Sequence, residues 1–256
     1  MEQARALRSF HNRVKHELIS QYAQESGATS MLDIGTGRGG DMHKWHKVGL
    51  THVVGVDVCV DYIHEAIRRY KQCKHLRNRM YKFYYTTEEK VFLPFLKECC
   101  KPLKYDMVSC MFAFHYFFKT QESLNSIMRQ VSEVLNPNGY FVCVSPMGES
   151  INALLKDNTS YQSSVFHVTR LYDTPKGIGD AIQFMLMGTL YFGENMISNE
   201  YLIFKNTIEL AANAYGLKLV EYKGFDKFYK DSDSLTQETQ LASFLNGAIV
   251  FKKVAS

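Results

Sequence analysis

Ser30-Met-Leu-Asp-Ile-Gly-Thr-Gly-Arg-Gly-Gly-Asp41 and, eleven residues on, His52-Val-Val-Gly-Val-Asp57 decide the fold. Each is a short apolar run ending in loop residues, the pattern of a strand buried on both faces. Gly35, Gly37 and Gly40 match GxGxxG between a strand and a helix-like stretch from Asp41 to Val48. Glycine permits the tight turn there and lets a ligand approach the backbone. Asp57, ending the second run, is placed to accept hydrogen bonds from ribose hydroxyls. By themselves these features suit both nicotinamide-dinucleotide and S-adenosylmethionine enzymes.

Charge separates the two. Asp33 precedes the loop and Asp41 follows its last glycine. A carboxylate at a helix start is favoured by the dipole, so Asp41 has a plain capping reading. Beside a pyrophosphate, however, it would repel the ligand. Acidic residues suit a donor with a sulfonium and an ammonium group.

The rest of the chain alternates in the same way. Helix patterns cover 4–23, 62–72, 120–135 and 202–215. Strand candidates lie at 80–85, 105–110, 139–145, 184–191, 217–222 and 247–252. Alternation predicts one α/β domain over 1–256, its mostly parallel sheet covered by helices on both faces. Residues 146–162 and 172–182, which contain Pro146, Gly148, Pro175, Gly177 and Gly179, read as loops over the carboxyl ends of the strands, where open α/β sheets bind ligands.

With 46% hydrophobic and 22% charged residues the chain is an ordinary globular sequence, which excludes whole-chain disorder. A net charge of +4 permits a polyanionic partner without demanding one. The six cysteines form no CxxC pair and several sit in apolar runs, which predicts free thiols in a reducing compartment. No signal peptide or membrane span is expected, so the protein reads as intracellular. His43 and His46 lack a third ligand at motif spacing and read as solvent-facing; no metal is expected. No Ser/His/Asp or Cys/His arrangement suggests a nucleophile.

Five segments carry a resemblance. Asp33-Ile-Gly-Thr-Gly-Arg-Gly-Gly-Asp41 resembles the L-G-C-G-K-G-G-D motif of mRNA cap (guanine-N7) methyltransferases. Leu7-Arg-Ser-Phe-His-Asn-Arg-Val-Lys15 resembles that family's R-N-F-N-N-W-x-K helix, and Tyr105-Asp-Met-Val-Ser-Cys-Met-Phe-Ala-Phe-His-Tyr116 its F-D-x-V-S-x-Q-F-x-x-H-Y segment. Asn199-Glu-Tyr-Leu202 is similar to P-E-Y-L, and Phe225-Asp-Lys-Phe-Tyr229 to F-x-x-F-Y. The matches run in order over nearly the whole chain. They are similar to the methyltransferase module of capping enzymes in large cytoplasmic DNA viruses such as asfarviruses.

The resemblance implies a Rossmann-like class I S-adenosylmethionine-dependent methyltransferase with a seven-stranded sheet. It implies methyl transfer to N7 of the guanosine in GpppN-RNA, in line and without a general base, because N7 has a free lone pair. Residue by residue, it assigns Lys15 to the methionine carboxylate, and Asp33, Gly35, Gly37 and Asp41 to the donor pocket. Asp57 goes to the ribose and Met111 to a backbone contact with the donor. Phe112, His115, Tyr116, Pro146 and Glu200 would surround the cap guanine, with Glu200 accepting from N1 and N2, and Arg38 and Arg69 would meet the cap phosphates. The sequence departs from the family in several places. Arg38 replaces a lysine and Met111 a glutamine. Tyr84, Tyr85, Thr86 and Thr87 stand where an adenine-binding acid is expected, and the C-terminal cap tyrosine becomes Asn246 or shifts to Phe244.

The partner implied is the capped 5' end of mRNA. The resemblance leaves open fusion to triphosphatase and guanylyltransferase modules. It implies a cytoplasmic or virion location for a viral protein and a nuclear one for a cellular protein. Two other readings stay open. The first is a methyltransferase of another RNA site or a small molecule, which would lose the Phe112–His115–Tyr116 and Glu200 matches. The second is a non-catalytic stimulatory subunit, which degenerate donor residues would mark.

Overall fold

The two apolar runs beside the glycine loop become neighbouring strands. β1 (Ser30–Ile34) and β2 (His52–Asp57) pair in parallel from Ser30↔His52 to Ile34↔Val56. The computed structural model describes residues 2–86, 104–187 and 199–254. β3 (Met80–Tyr85) adds beyond β2, while β4 (Tyr105–Met111) and β5 (Leu135–Pro146) add on the other side of β1, all parallel. Two late strands, β10 (Leu217–Gly224) and β11 (Asn246–Lys253), close that edge, and β11 runs antiparallel to both neighbours. The order of the seven is β10-β11-β5-β4-β1-β2-β3.

Helices cover both faces because each strand is apolar on both sides. Phe141 and Cys143 of β5 join one core with α4 (Gln121–Val134) and α6 (Lys205–Asn213). The alternate Val142 and Val144 join another with α1 (Glu2–Ser26), α2 (Met42–Lys47) and α3 (Val60–Gln72). Period-two alternation along a buried strand produces this division. In α1 the buried Phe10, Val14, Leu18 and Tyr22 recur at the helical step. The Thr120 hydroxyl caps α4 by accepting from the Ser123 N–H at 3.2 Å.

The expected loops at 146–162 and 172–182 need correction. The first contains α5 (Gly148–Leu155) and β6 (Ser160–Gln162). With β7 (Phe166–Arg170), β8 (Ala181–Leu186) and β9 (Asn199–Tyr201), β6 builds a second sheet in the order β6-β7-β8-β9, antiparallel throughout. Two of these strands have three residues, too few for a periodic signal. The strand expected at 184–191 begins earlier, at Ala181, and its last four residues lie outside the described ones. Thr87, Cys99 and Cys100 also lie outside them. The helix expected from 202 starts at Lys205, after the buried residues Leu202 and Ile203. A third core, with Leu7, Ile151, Phe166, Ile182 and Leu245, fixes the second sheet over α1, α5 and α7 (Gln237–Phe244). Among the described residues no helix is long and apolar enough to cross a membrane.

Candidate active site

The glycine loop is folded back on the end of β2. Gly35 and Thr36 donate their N–H groups to the Val56 carbonyl at 2.9 and 3.0 Å. Gly35 has φ +69°, and a Cβ there would stand 2.5 Å from Ala113 Cβ, so only glycine fits. Asp57 fastens the turn: one carboxylate oxygen accepts from the Gly37 N–H at 2.7 Å, the other from the Cys59 N–H at 2.9 Å. A carboxylate has about four acceptor positions, so capacity for ligand hydroxyls remains.

Beneath the loop lies a charged cluster. Asp41 precedes α2, but its side chain makes no capping bond. Both its oxygens face the Lys15 ammonium, at 2.8 and 2.9 Å, and one meets Lys44 at 2.6 Å. Burial alone would raise the Asp41 pKa, yet the two ammonium groups outweigh it and hold the carboxyl below its ordinary range. Asp33, fully enclosed, accepts from the Ser109 hydroxyl at 2.6 Å. Burial, then the charge on Asp41, pushes it up to about 7. Lys15 and Asp41 are thus an acid and a cation held side by side at one edge of the site.

From that pair opens a cavity of about 600 Å³. Its wall on α1 carries Leu7, His11 and Lys15, and the second sheet contributes Ile182, Phe184 and Glu200. Between them, Phe112, His115 and Tyr116 come from the turn after β4, and Pro146 from the end of β5. His115 lies in a 3-10 turn (Phe114–Phe118), not on the strand end. Its Nδ1 contacts the Ser145 hydroxyl at 3.2 Å, while its buried Nε2 has no partner. Burial lowers its pKa to about 3, so the ring is neutral at working pH. Burial also pushes the Glu200 carboxyl up to about 7. Phe112 has φ +60°, its N–H bonds to the Val144 carbonyl at 2.8 Å, and its ring stacks on His11 at 5.2 Å and 25°. A bulky residue in the left-handed region is strained, and such strain clusters at ligand sites.

Lys15, Phe112, His115, Tyr116, Pro146 and Glu200 thus share one cavity. Asp33 and Asp41 sit behind Lys15, Gly35, Gly37 and Asp57 form the loop, and Met111 is buried at the end of β4. Arg38 and Arg69 do not line the cavity: Arg38 lies 4.9 Å over the Tyr62 ring and Arg69 is paired with Glu65 at 2.7 Å. Of the two C-terminal candidates, Asn246 lines the wall, whereas Phe244 packs on Phe10 and Tyr229. Sequence reasoning missed Arg8, His11 and Asn12, which lie inside the α1 segment already singled out. It also missed Ile182 and Phe184: the strand expected at 184–191 includes the second, but nothing local shows that this strand turns onto the cavity.

The sequence pattern of the mRNA (guanine-N(7))-methyltransferase domain matches residues 2–252. Relatives include a probable mRNA-capping enzyme of Acanthamoeba polyphaga mimivirus, 29% identical over 88% of this chain and 22% of its own. The mRNA cap guanine-N(7) methyltransferases of Drosophila melanogaster and Saccharomyces cerevisiae are each 28% identical, over 88% and 87% of this chain and 56% and 53% of theirs. The chain therefore spans about half, or less, of the length of these relatives. Among solved structures, the CcbJ methyltransferase from Streptomyces caelestis shares the fold at TM-score 0.63 and 17% identity, covering 95% of this chain and 90% of its own. An S-adenosylmethionine-dependent methyltransferase from Clostridium acetobutylicum does so at 0.60 and 12%, covering 94% and 91%. The motifs around Lys15, Gly35, His115 and Glu200 all lie within the matched residues 2–252, and the chain belongs to the mRNA (guanine-N(7))-methyltransferase domain family.

Proposed function

We propose that this chain methylates N7 of the 5'-terminal guanosine of GpppN-RNA, with S-adenosyl-L-methionine as donor and S-adenosyl-L-homocysteine as product. The observation that carries the reading is the pairing, in one cavity, of a raised Glu200 carboxyl with an unpartnered His115 Nε2, opposite the Lys15–Asp41 pair. A guanine offers donors at N1 and N2 and an acceptor at O6. Glu200 accepts the first two. His115, its Nδ1 accepting from Ser145, donates its Nε2–H to O6.

The residues also fit the donor. Lys15 takes its carboxylate, Asp41 its ammonium, Asp57 its ribose hydroxyls, and Asp33, Gly35, Gly37 and Met111 shape the bed. When bound, the donor supplies an electrophilic methyl on a sulfonium. No side chain has to remove a proton, because N7 of neutral guanine carries a free lone pair. Catalysis by the chain is therefore positioning, which can supply about 7–11 kcal/mol when reacting groups are held in line. The Glu200 carboxylate adds to it, since methylation leaves the guanine positive and a bonded anion is favoured as that charge develops. Phe112, Tyr116 and Pro146 exclude water around the base, and Arg38 and Arg69 meet the triphosphate from outside the cavity.

The same reading takes residues 1–256 as one methyltransferase domain. The mimivirus relative, of which the chain spans 22%, supports a place as one module of a longer capping enzyme. The test is transfer of labelled methyl to GpppG by wild type and Glu200→Ala. Activity in the first and a loss of about 10²–10³-fold in the second is expected. Equal activity in both would remove the guanine assignment.

A further inference from the structure

Outside the cavity, α2 and the end of α3 bring one side chain beside two others that lie about thirty residues further along the chain. His43 lies in the first turn of α2, Cys73 ends α3, and His75 sits in the 3-10 turn Lys74–Leu76. His43 Nδ1 and His75 Nε2 are 3.1 Å apart, and with the Cys73 sulfur these atoms all lie within 4.8 Å of one another. Two imidazole nitrogens on a tetrahedral zinc ion stand about 3.3 Å apart, so the histidines are already at ligand spacing. The backbone holds them there. The Cys73 N–H is bonded to Arg69 and Tyr70, its carbonyl accepts from Leu76, and Trp45 and Leu76 anchor both elements in the core. His46 stands beside His75, ring centroids 5.2 Å apart, oriented by Arg79, which donates to its Nδ1 at 3.2 Å.

We propose that His43, Cys73 and His75 bind a zinc-class divalent ion that ties α2 to the end of α3. Two imidazoles and one thiolate are a borderline-soft set that selects such ions over magnesium or calcium. As the metal–sulfur bond forms, the Cys73 thiol gives its proton to solvent; two neutral imidazoles and a water or His46 complete the shell. Lys47 and Arg79, close to His43 and His46, repel a bare dication, so the thiolate charge is essential. Because Asp41 is the residue just before α2, the ion stiffens the floor of the donor pocket without touching a reacting group.

The test uses the full chain, stripped with chelator and titrated with zinc or cobalt. Expected are one equivalent bound, release of one proton, a thiolate-to-cobalt charge-transfer band and a rise in thermal midpoint. Cys73→Ser and His75→Ala each weaken binding by more than the ~10–100-fold that even an outer partner is worth, and abolish the thermal response. Zinc also protects Cys73 of the wild type from alkylation, read by peptide mass, which needs no variant. Binding of zinc no tighter by wild type than by the Cys73→Ser/His75→Ala double variant, or a cobalt complex without the thiolate band, overturns the proposal. Methyl transfer at ordinary temperature is unchanged in both single variants, so this test and that of cap methylation fail separately.

Discussion

Glu200 and Asp33 are two carboxyls lifted to the same range by different surroundings. Both are raised to about 7, Glu200 by burial in the cavity wall and Asp33 by enclosure and then by the charge of Asp41. They give separable pH effects. If Glu200 acts as the carboxylate, kcat/KM for GpppG rises with pH through about 7 and levels off above it. Glu200→Gln gives a lower, flat profile, whereas Asp33→Asn keeps the rise; a rise surviving in Glu200→Gln excludes Glu200 as its source. Both raised carboxyls also lower stability as pH rises, so substitution has to isolate the share that belongs to Asp33. Its folded pKa lies above the unfolded value of 3.8, so from there to about 7 the native state binds the extra proton and stability falls as pH rises. Asp33→Asn removes its share of that fall, so its stability relative to wild type in urea unfolding rises from pH 4.5 to 7.5. A constant difference across that range shows that Asp33 is not raised.

At the scale of elements, the turn between β1 and α2 depends on one atom's absence. Gly35→Ala places a methyl 2.5 Å from Ala113 Cβ at φ +69°. The turn after β4 must then move, and that turn leads into the Phe112–Tyr116 wall. We expect loss of at least about 1 kcal/mol of stability. A tenfold or larger loss of S-adenosylhomocysteine affinity should accompany it, read by calorimetry; unchanged affinity means that the ligand does not lie on this loop. The stretch 199–202 shows how elements misled the sequence reading. The helix pattern expected from 202 begins only at Lys205; before it the chain is β9, with Glu200 opposite Ile182 of β8.

At the scale of the whole molecule, two sheets meet at one cavity, and the proposed function divides the ligands between them. The parallel sheet leads into Gly40 and the Phe112–Tyr116 turn and ends at Pro146; the antiparallel one supplies Ile182, Phe184 and Glu200. Phe184→Ala should therefore raise KM for the capped dinucleotide about tenfold or more while leaving S-adenosylhomocysteine affinity within about twofold, a loss of apolar contact worth ~1–3 kcal/mol. Lys15→Met should do the reverse in binding assays, since it breaks the pair with Asp41 at the donor edge. If either variant weakens both ligands equally, the division of labour is wrong.

Much of this was legible in the chain alone. Buried strands announce themselves by apolar runs such as 30–34 and 52–57, and a glycine turn by its spacing, because both are local consequences of backbone sterics and water exclusion. Family motifs located Lys15, His115 and Glu200. What the linear pattern left open was decided by packing between distant segments. The Asp41 carboxylate turned from helix capping to Lys15 because α1 crosses beside it. Asn246 rather than Phe244 reached the cavity because the Phe244 ring is held by Phe10 and Tyr229. His43 met Cys73 and His75 only when α2 packed on the end of α3. Local sequence determines which conformations a segment can hold at low cost, whereas the neighbours of a side chain depend on cores that join segments from opposite ends of the chain, such as Phe10 with Val250, a choice no window of sequence contains.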